Sequence, residues 1–156
     1  MSNKDFPQKN ITENDLYYVC YMIERLARKL NQPKSYVVTT LGEKELHRLL
    51  TLASVLHSEN PLKVEDELIA HFNLKRGIYN VYAVRPELNV HVPSSTQMGK
   101  VYKRLILNTL KNDENWIQAM IRIYTSPICK TLDNYNTSAF YEPAPVIAQA
   151  FQNGGF

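Results

Sequence analysis

Residues 16–30, LYYVCYMIERLARKL, place Leu16, Val19, Cys20, Ile23, Ala27 and Leu30 along one side of a helix, while Glu24, Arg25, Arg28 and Lys29 fill other positions. A helix with so complete an apolar stripe is not stable alone in water, so the rest of the chain has to cover it. Thr12, with Asp15 three residues on, has the form of a capping box that starts this helix, and Pro33 closes it.

The segments that follow supply the covering partners. Ser35 can cap a short helix, YVVTTL, whose β-branched residues form helix weakly and whose Gly42 gives a C-terminal stop. Residues 43–56 predict a third helix that buries Leu46, Leu49, Leu50, Ala53 and Leu56. Pro61 opens a fourth, with Val64, Leu68, Ile69 and Phe72 on a narrower apolar face. At Lys75-Arg76-Gly77 the pattern changes: GIYNVYAV and LNVHV carry β-branched and aromatic residues on either side of Arg85-Pro86-Glu87, which predicts a β-hairpin. A long helix over 95–110 then buries Met98, Val101, Tyr102, Leu105 and Ile106. Trp116, Ile117, Met120, Ile121 and Tyr124 mark another, ended by Ser126-Pro127. A turn-rich tail closes in a short helix over 145–152, stopped by Gly154.

The expected fold is therefore mainly α, a helical bundle with one small β-hairpin (α+β by strict count). It forms a single compact domain, 1–156, made of an N-terminal helical part 12–74, the hairpin 77–93 and a C-terminal helical part 95–156. With 44% hydrophobic residues such a chain can bury an ordinary core without disulfides or metal. Cys20 and Cys129 lie far apart among apolar neighbours and read as small buried thiols, not a disulfide, which fits a reducing compartment. No apolar run approaches the roughly 18–20 residues that span a bilayer, and the opening MSNKDFPQKNITEND lacks the apolar stretch of a secretory signal. A cytoplasmic location is expected.

The order strand, Ser-rich loop, Gly-Lys and helix in NVHVPSSTQMGKVYKRLIL is that of a phosphate-binding loop. That loop needs glycines that let backbone N–H groups wrap a phosphate, and a hydroxyl for Mg²⁺. Here SSTQMGKV keeps only Gly99 and Lys100; Ser94 stands at the opening glycine position and Val101 at the hydroxyl position. Gly99 falls in the first turn of the following helix, where a small residue serves close packing. Nor do His47, His57, His71 and His91 stand at metal-ligand spacing from one another or from a cysteine. His57, near Glu59, is the one candidate centre for catalysis, but a histidine at a helix C-terminus is ordinarily explained by the dipole. Glu65, Asp66 and Glu67 are consecutive, point to different faces and read as acidic residues at a helix start. No cofactor, metal or catalytic set is expected.

Two binding readings remain. The ten tyrosines are many for this length, and Tyr17 and Tyr21 share a helix face while Tyr135, Phe140 and Tyr141 sit in the tail. Tyrosine gives large contact area at small entropic loss, so these five residues form a candidate surface for a protein partner or for self-association. The expected function is a non-catalytic interaction module. The alternative is a DNA-binding regulator of winged-helix-like type, with helices followed by a hairpin and Arg25, Arg28, Lys29 and Lys34 as nucleic-acid contacts. The net charge of +3, from 18 basic and 15 acidic residues, is small for a protein that neutralises many phosphates.

Residues 15–72, DLYYVCYMIERLARKL through VEDELIAHF, also resemble a bacterial family of short helical proteins of unknown function. The resemblance is carried by Cys20, Ile23 and Glu24 in a step like the family's CIE, by Val55, Leu56 and His57, and by Glu65, Asp66 and Ile69. Two residues are added between Cys20 and Ile23 relative to the family step, and the C-terminal half has no counterpart there. The family brings no activity or catalytic residues; the resemblance implies only a small helical partner protein of bacterial accessory regions.

Overall fold

The computed structural model of the chain describes residues 11–88 and 91–156. Helix α1 (Glu13–Leu30) starts at the capping box: Thr12 Oγ1 accepts the Asp15 N–H at 3.2 Å and Asp15 Oδ2 accepts the Thr12 N–H at 2.9 Å. Asn31, in the left-handed conformation at φ 52°, ends it. Helix α2 (Lys34–Leu56) consists of two helical pieces joined at Gly42, whose φ of 79° and ψ of 171° bend the chain where the sequence places a stop. Helix α3 (Pro61–Phe72) is capped by Asn60, whose side-chain oxygen accepts the Leu62 N–H at 3.0 Å.

In the C-terminal half, Ser94 with Gln97 and Asn115 with Gln118 form reciprocal capping boxes for α4 (Ser95–Asn108) and α5 (Trp116–Tyr124). A short α6 (Ile128–Leu132) and the final α7 (Ala144–Gln152) follow, with 3₁₀ turns at Pro86–Leu88 and Ala139–Tyr141. The expected C-terminal helix is thus present, and α6 is an additional turn of helix within the stretch whose composition reads as loop.

The described residues contain no strand, so the fold is all-α and the hairpin expected over 77–93 does not form. The physical reason lies in where the backbone donors go. Gly77 N–H donates to the Leu30 carbonyl at 2.7 Å and Tyr79 N–H to the Asn31 carbonyl at 2.8 Å, satisfying carbonyls that α1 leaves open at its C-terminal end. Asn80 Oδ1 accepts the Tyr82 N–H at 2.9 Å, and Asn136 Oδ1 accepts the Arg85 N–H at 2.7 Å. Donors that a ladder would use are spent on turns and on another part of the chain. Asn89 and Val90, assigned to the expected second strand, lie outside the described residues.

Helix α1 is the organising element, packed against α2, α3 and α4; α5 lies against α2 and α4, and α7 covers α4. The approach of α4 to α1 depends on Gly99. A Cβ there would stand 3.1 Å from Tyr17 Cε1 and 3.2 Å from the Tyr21 backbone, distances that a side chain rarely tolerates. The small residue of the Gly-Lys pair is therefore a helix-packing device. Leu16, Val19, Ile23 and Leu26 of α1, Leu46 and Leu50 of α2, Tyr102 and Ile106 of α4, and Met120 and Tyr124 of α5 share one buried core.

Candidate functional site

Polar chemistry converges at two places, one sealed and one open. The sealed one sits where α1, the start of α2, α4 and the end of α6 meet. Lys34, at the first position of α2, has its side chain 2% exposed, with Nζ 2.9 Å from both Glu24 Oε1 and Asp133 Oδ2. The second Glu24 oxygen takes Arg28 Nε at 2.8 Å, and the Tyr102 hydroxyl donates to Asp133 Oδ1 at 2.8 Å. Arg28 also donates to the Pro93 carbonyl at 2.7 Å and lies over the rings of Tyr82 and Tyr135. Two cations and two carboxylates cancel, so the centre is neutral, with Glu24 Oε1 held by the Lys34 charge and not by a well-formed hydrogen bond.

Burial works against the Lys34 ammonium, but the Asp133 and Glu24 carboxylates outweigh it and hold its pKa above the usual lysine range. Burial pushes the Asp133 carboxyl up, partly offset by Lys34. Around the ion cluster, Tyr102 and Tyr124 stack with centroids 4.7 Å apart, and burial pushes both phenols well up. The Tyr124 hydroxyl, beside the Cys20 thiol, has no well-formed hydrogen bond among the described residues. Desolvation raises both the Cys20 and Cys129 thiols to about 12, which leaves them protonated and poorly nucleophilic at neutral pH. This arrangement fixes helices to one another and presents nothing reactive to solvent.

The open place is a groove of about 1410 Å³ between the second piece of α2 and α3. Its apolar lining comes from Leu41, Leu52, Leu56, Val64, Leu68 and Phe72, and its polar rim from Lys44, Glu45, Arg48 and Glu67. Leu52 is 37% exposed, and Val55 and Leu62, on the same two helices, are 61% and 53% exposed. Glu45 holds Arg48 in a two-point pair at 2.8 and 2.7 Å. Two smaller hollows of about 280 Å³ each lie at Arg104 with Tyr141 and at Tyr79 with Asn134.

The residues singled out in the sequence fall differently. Arg25 pairs with Glu65 at 2.6 Å, Lys29 with Asp66 at 2.8 Å, and Arg28 and Lys34 belong to the sealed centre. The four cations are thus held by carboxylates. Glu65 and Asp66 serve as their partners from within α3 and are not part of its first turn. Tyr17 and Tyr21 stack at 5.9 Å, half-buried, against α4 at Gly99. Tyr135 is 1% and Phe140 5% exposed; of the five aromatic residues, Tyr141 alone stands out, at 65%. His57 caps α2 at the surface with its ring 5.4 Å from that of Tyr18, and no carboxylate pairs with it among the described residues. Lys100 is exposed on α4.

Sequence reasoning missed both places. Lys34 and Asp133 are 99 positions apart (133 − 34), so no local pattern announces their pairing. The groove had a signal in Leu52, an apolar residue that falls off the buried stripe of its helix. Among the described residues no group of three or more His, Cys, Asp or Glu could hold a metal, and no helix is long and apolar enough to cross a membrane. Compared with known proteins, the chain matches no family model, no curated protein and no solved structure.

Proposed function

We propose that this protein is a non-catalytic interaction module that receives a helical segment of a protein partner in the groove between α2 and α3. The observation that carries the reading is the apolar floor of that groove together with the exposed Leu52 on its wall. Its volume of about 1410 Å³ exceeds the roughly 300–1,000 Å³ of small-ligand pockets, and its walls are two helices, the geometry that accepts a third. Helix α3, with 12 residues, gives the groove a length of about 18 Å, some three turns of a partner helix. The sealed ion cluster supports the reading from the other side, because its ionisable groups are engaged in holding the bundle together. The DNA-binding alternative draws less support, since Arg25, Arg28, Lys29 and Lys34 each face a carboxylate and would have to exchange it for phosphate.

The test places a photo-crosslinking amino acid at Leu52, with Lys111 on the exposed α4–α5 connection as control, in cells that express the protein. Expected is a discrete heavier adduct from Leu52 that the Lys111 position does not give and that Ala70→Trp, which fills the groove wall, abolishes. Equal adducts at both positions, or none at Leu52, overturn the proposal.

A further inference from the structure

The positive charge of the chain is concentrated on one helix. From Leu88 to Leu110 the sequence has no acidic residue, and α4 within that stretch carries Lys100, Lys103 and Arg104. Without these three, 15 basic residues (18 − 3) stand against 15 acidic ones, so the net charge of +3 equals the charge of α4. The helix turns all three the same way. Its buried residues are Met98, Gly99, Tyr102, Leu105 and Ile106, and the elements packed on it are α1, α5 and α7. At about 100° per residue, Thr96, Lys100, Lys103, Arg104 and Asn108 fall in one sector away from that side. Lys103 is half-buried and the other four are exposed.

These cations are also unanswered. Arg25, Arg28, Lys29 and Lys34 each hold a carboxylate, whereas no residue of α4 takes part in an ion pair among the described residues. Arg104 shares a hollow with Glu142, but no ion pair joins them. The field of Lys103 reaches the Cys20 thiol, a neutral group. Lys111, just past the helix, is left out of the set because the Glu114 carboxylate senses it. The face has no exposed large apolar residue, and Leu107 in the same sector packs against the core. That composition selects among polyanions. A protein interface has apolar and aromatic anchors at its centre and is depleted in lysine, and a helix lying on a bilayer needs apolar residues to insert. Single strands need exposed rings to stack on, and the aromatic residue of α4, Tyr102, is buried. Phosphates of a duplex need only cations and hydrogen-bond donors in a row. A helix about 10–12 Å across fits the major groove of B-form DNA, which the narrow groove of A-form RNA does not allow.

We propose that the outer face of α4 is a contact surface for the phosphate backbone of duplex DNA. Lys100, Lys103 and Arg104 each take one phosphate, and Thr96 and Asn108, about 18 Å apart along the axis, donate hydrogen bonds at its two ends. Contacts of this kind set position and affinity, not sequence. The surface lies on a helix that forms no wall of the α2–α3 groove, so it stands or falls apart from the partner proposed there.

The experiment measures anisotropy of a fluorescein-labelled random-sequence 20-base-pair duplex with the full chain. Three phosphate contacts predict a slope of log affinity against log salt of about −2.7, a loss of about fortyfold between 50 and 200 mM salt. The variant Lys100→Gln with Arg104→Gln, both at exposed positions, should lower the slope by about two units, and adding Lys103→Gln should remove most of the rest. Taking the same three charges from Lys63, Arg76 and Lys130, exposed on other elements, should change affinity by less than about twofold. Circular dichroism verifies the fold of each variant. No binding at low salt overturns the proposal, as does an equal loss in the control variant, which would mean that total charge and not this face is sensed. Tighter binding to the single strand of the same sequence, or to vesicles of equal phosphatidylserine and phosphatidylcholine, assigns the face to another polyanion and overturns it as well.

Discussion

Lys34 shows how little a residue's type says about its role. It sits in NQPKSY, a polar stretch beside a proline, where a lysine ordinarily projects into water, yet its side chain is 2% exposed between two carboxylates. Removing the ammonium alone leaves Glu24 and Asp133 buried and mutually repulsive, so Lys34→Met should cost about 3–5 kcal/mol in urea unfolding. The triple variant with Glu24→Gln and Asp133→Asn should recover most of that loss; a Lys34→Met cost below about 1 kcal/mol means the cluster is dispensable. Because the Lys34 pKa is raised, its contribution is complete below the ordinary lysine value and fades only as pH rises through the higher folded value, so it should be constant around neutrality. Glu114 behaves oppositely. Hydrogen bonds from Arg122, at 2.6 and 2.7 Å, hold its carboxyl below the usual range, so its contribution is present at neutral pH and disappears as pH falls through that lowered value. Glu114→Gln should thus lower stability by about 1 kcal/mol at neutral pH, with the gap to the parent closing in acid. Urea midpoints at the two conditions measure it, and a gap that persists in acid contradicts the assignment.

At the level of helices, local signals decided well. The α1 stripe with its Thr12–Asp15 box, the break at Gly42, Pro61 near the start of α3 and the limits of α5 are written in neighbouring residues, because caps and periodicity act within a turn or two. What failed was the segment 77–93, where β-forming residues were outweighed by a demand from elsewhere: α1 needed donors at its C-terminal carbonyls, and Gly77 and Tyr79 met it. Gly77 is held in place by space, since a Cβ there would come within 2.8 Å of the Asn31 carbonyl oxygen. Gly42 and Gly99 offer contrasting tests. At Gly42 a Cβ would meet nothing within 4 Å, but φ 79° with ψ 171° is a glycine conformation, so Gly42→Ala should cost about 1–3 kcal/mol through backbone strain alone. At Gly99 the obstacle is the Tyr21 backbone, and Gly99→Val should cost about as much or more by separating α1 from α4. Hydrogen exchange distinguishes them: the Gly42 variant should lose protection around the α2 bend, the Gly99 variant along both α1 and α4.

Across the molecule, α1 joins the two halves twice, through its packing on α4 and through the Glu24–Lys34–Asp133 contacts. Unfolding should therefore be one event. Far-ultraviolet circular dichroism, which reports every helix, and fluorescence of Trp116, buried in the C-terminal half, are expected to give coincident urea curves. Two separated transitions would show that the halves hold independently. The candidate site divides in the same way between what a sequence shows and what it hides. Leu52 could be marked as an apolar residue off the buried stripe, whereas the tyrosines that looked available were recruited inward: Tyr135 is 1% exposed and Tyr21 lies against Gly99. Which aromatic residues remain outside depends on how helices distant in sequence pack, and no window of the chain contains that information.

The burial of the Lys34 amine also makes it a timekeeper. An amine-modifying reagent that reaches Lys44 or Lys100 at once has no route to an amine walled in by Glu24, Asp133 and the Tyr102 ring. Label should reach Lys34 only when the bundle comes apart, so the slow growth of that one modified peptide in a mass spectrum counts openings of the whole protein under conditions where almost every copy is native.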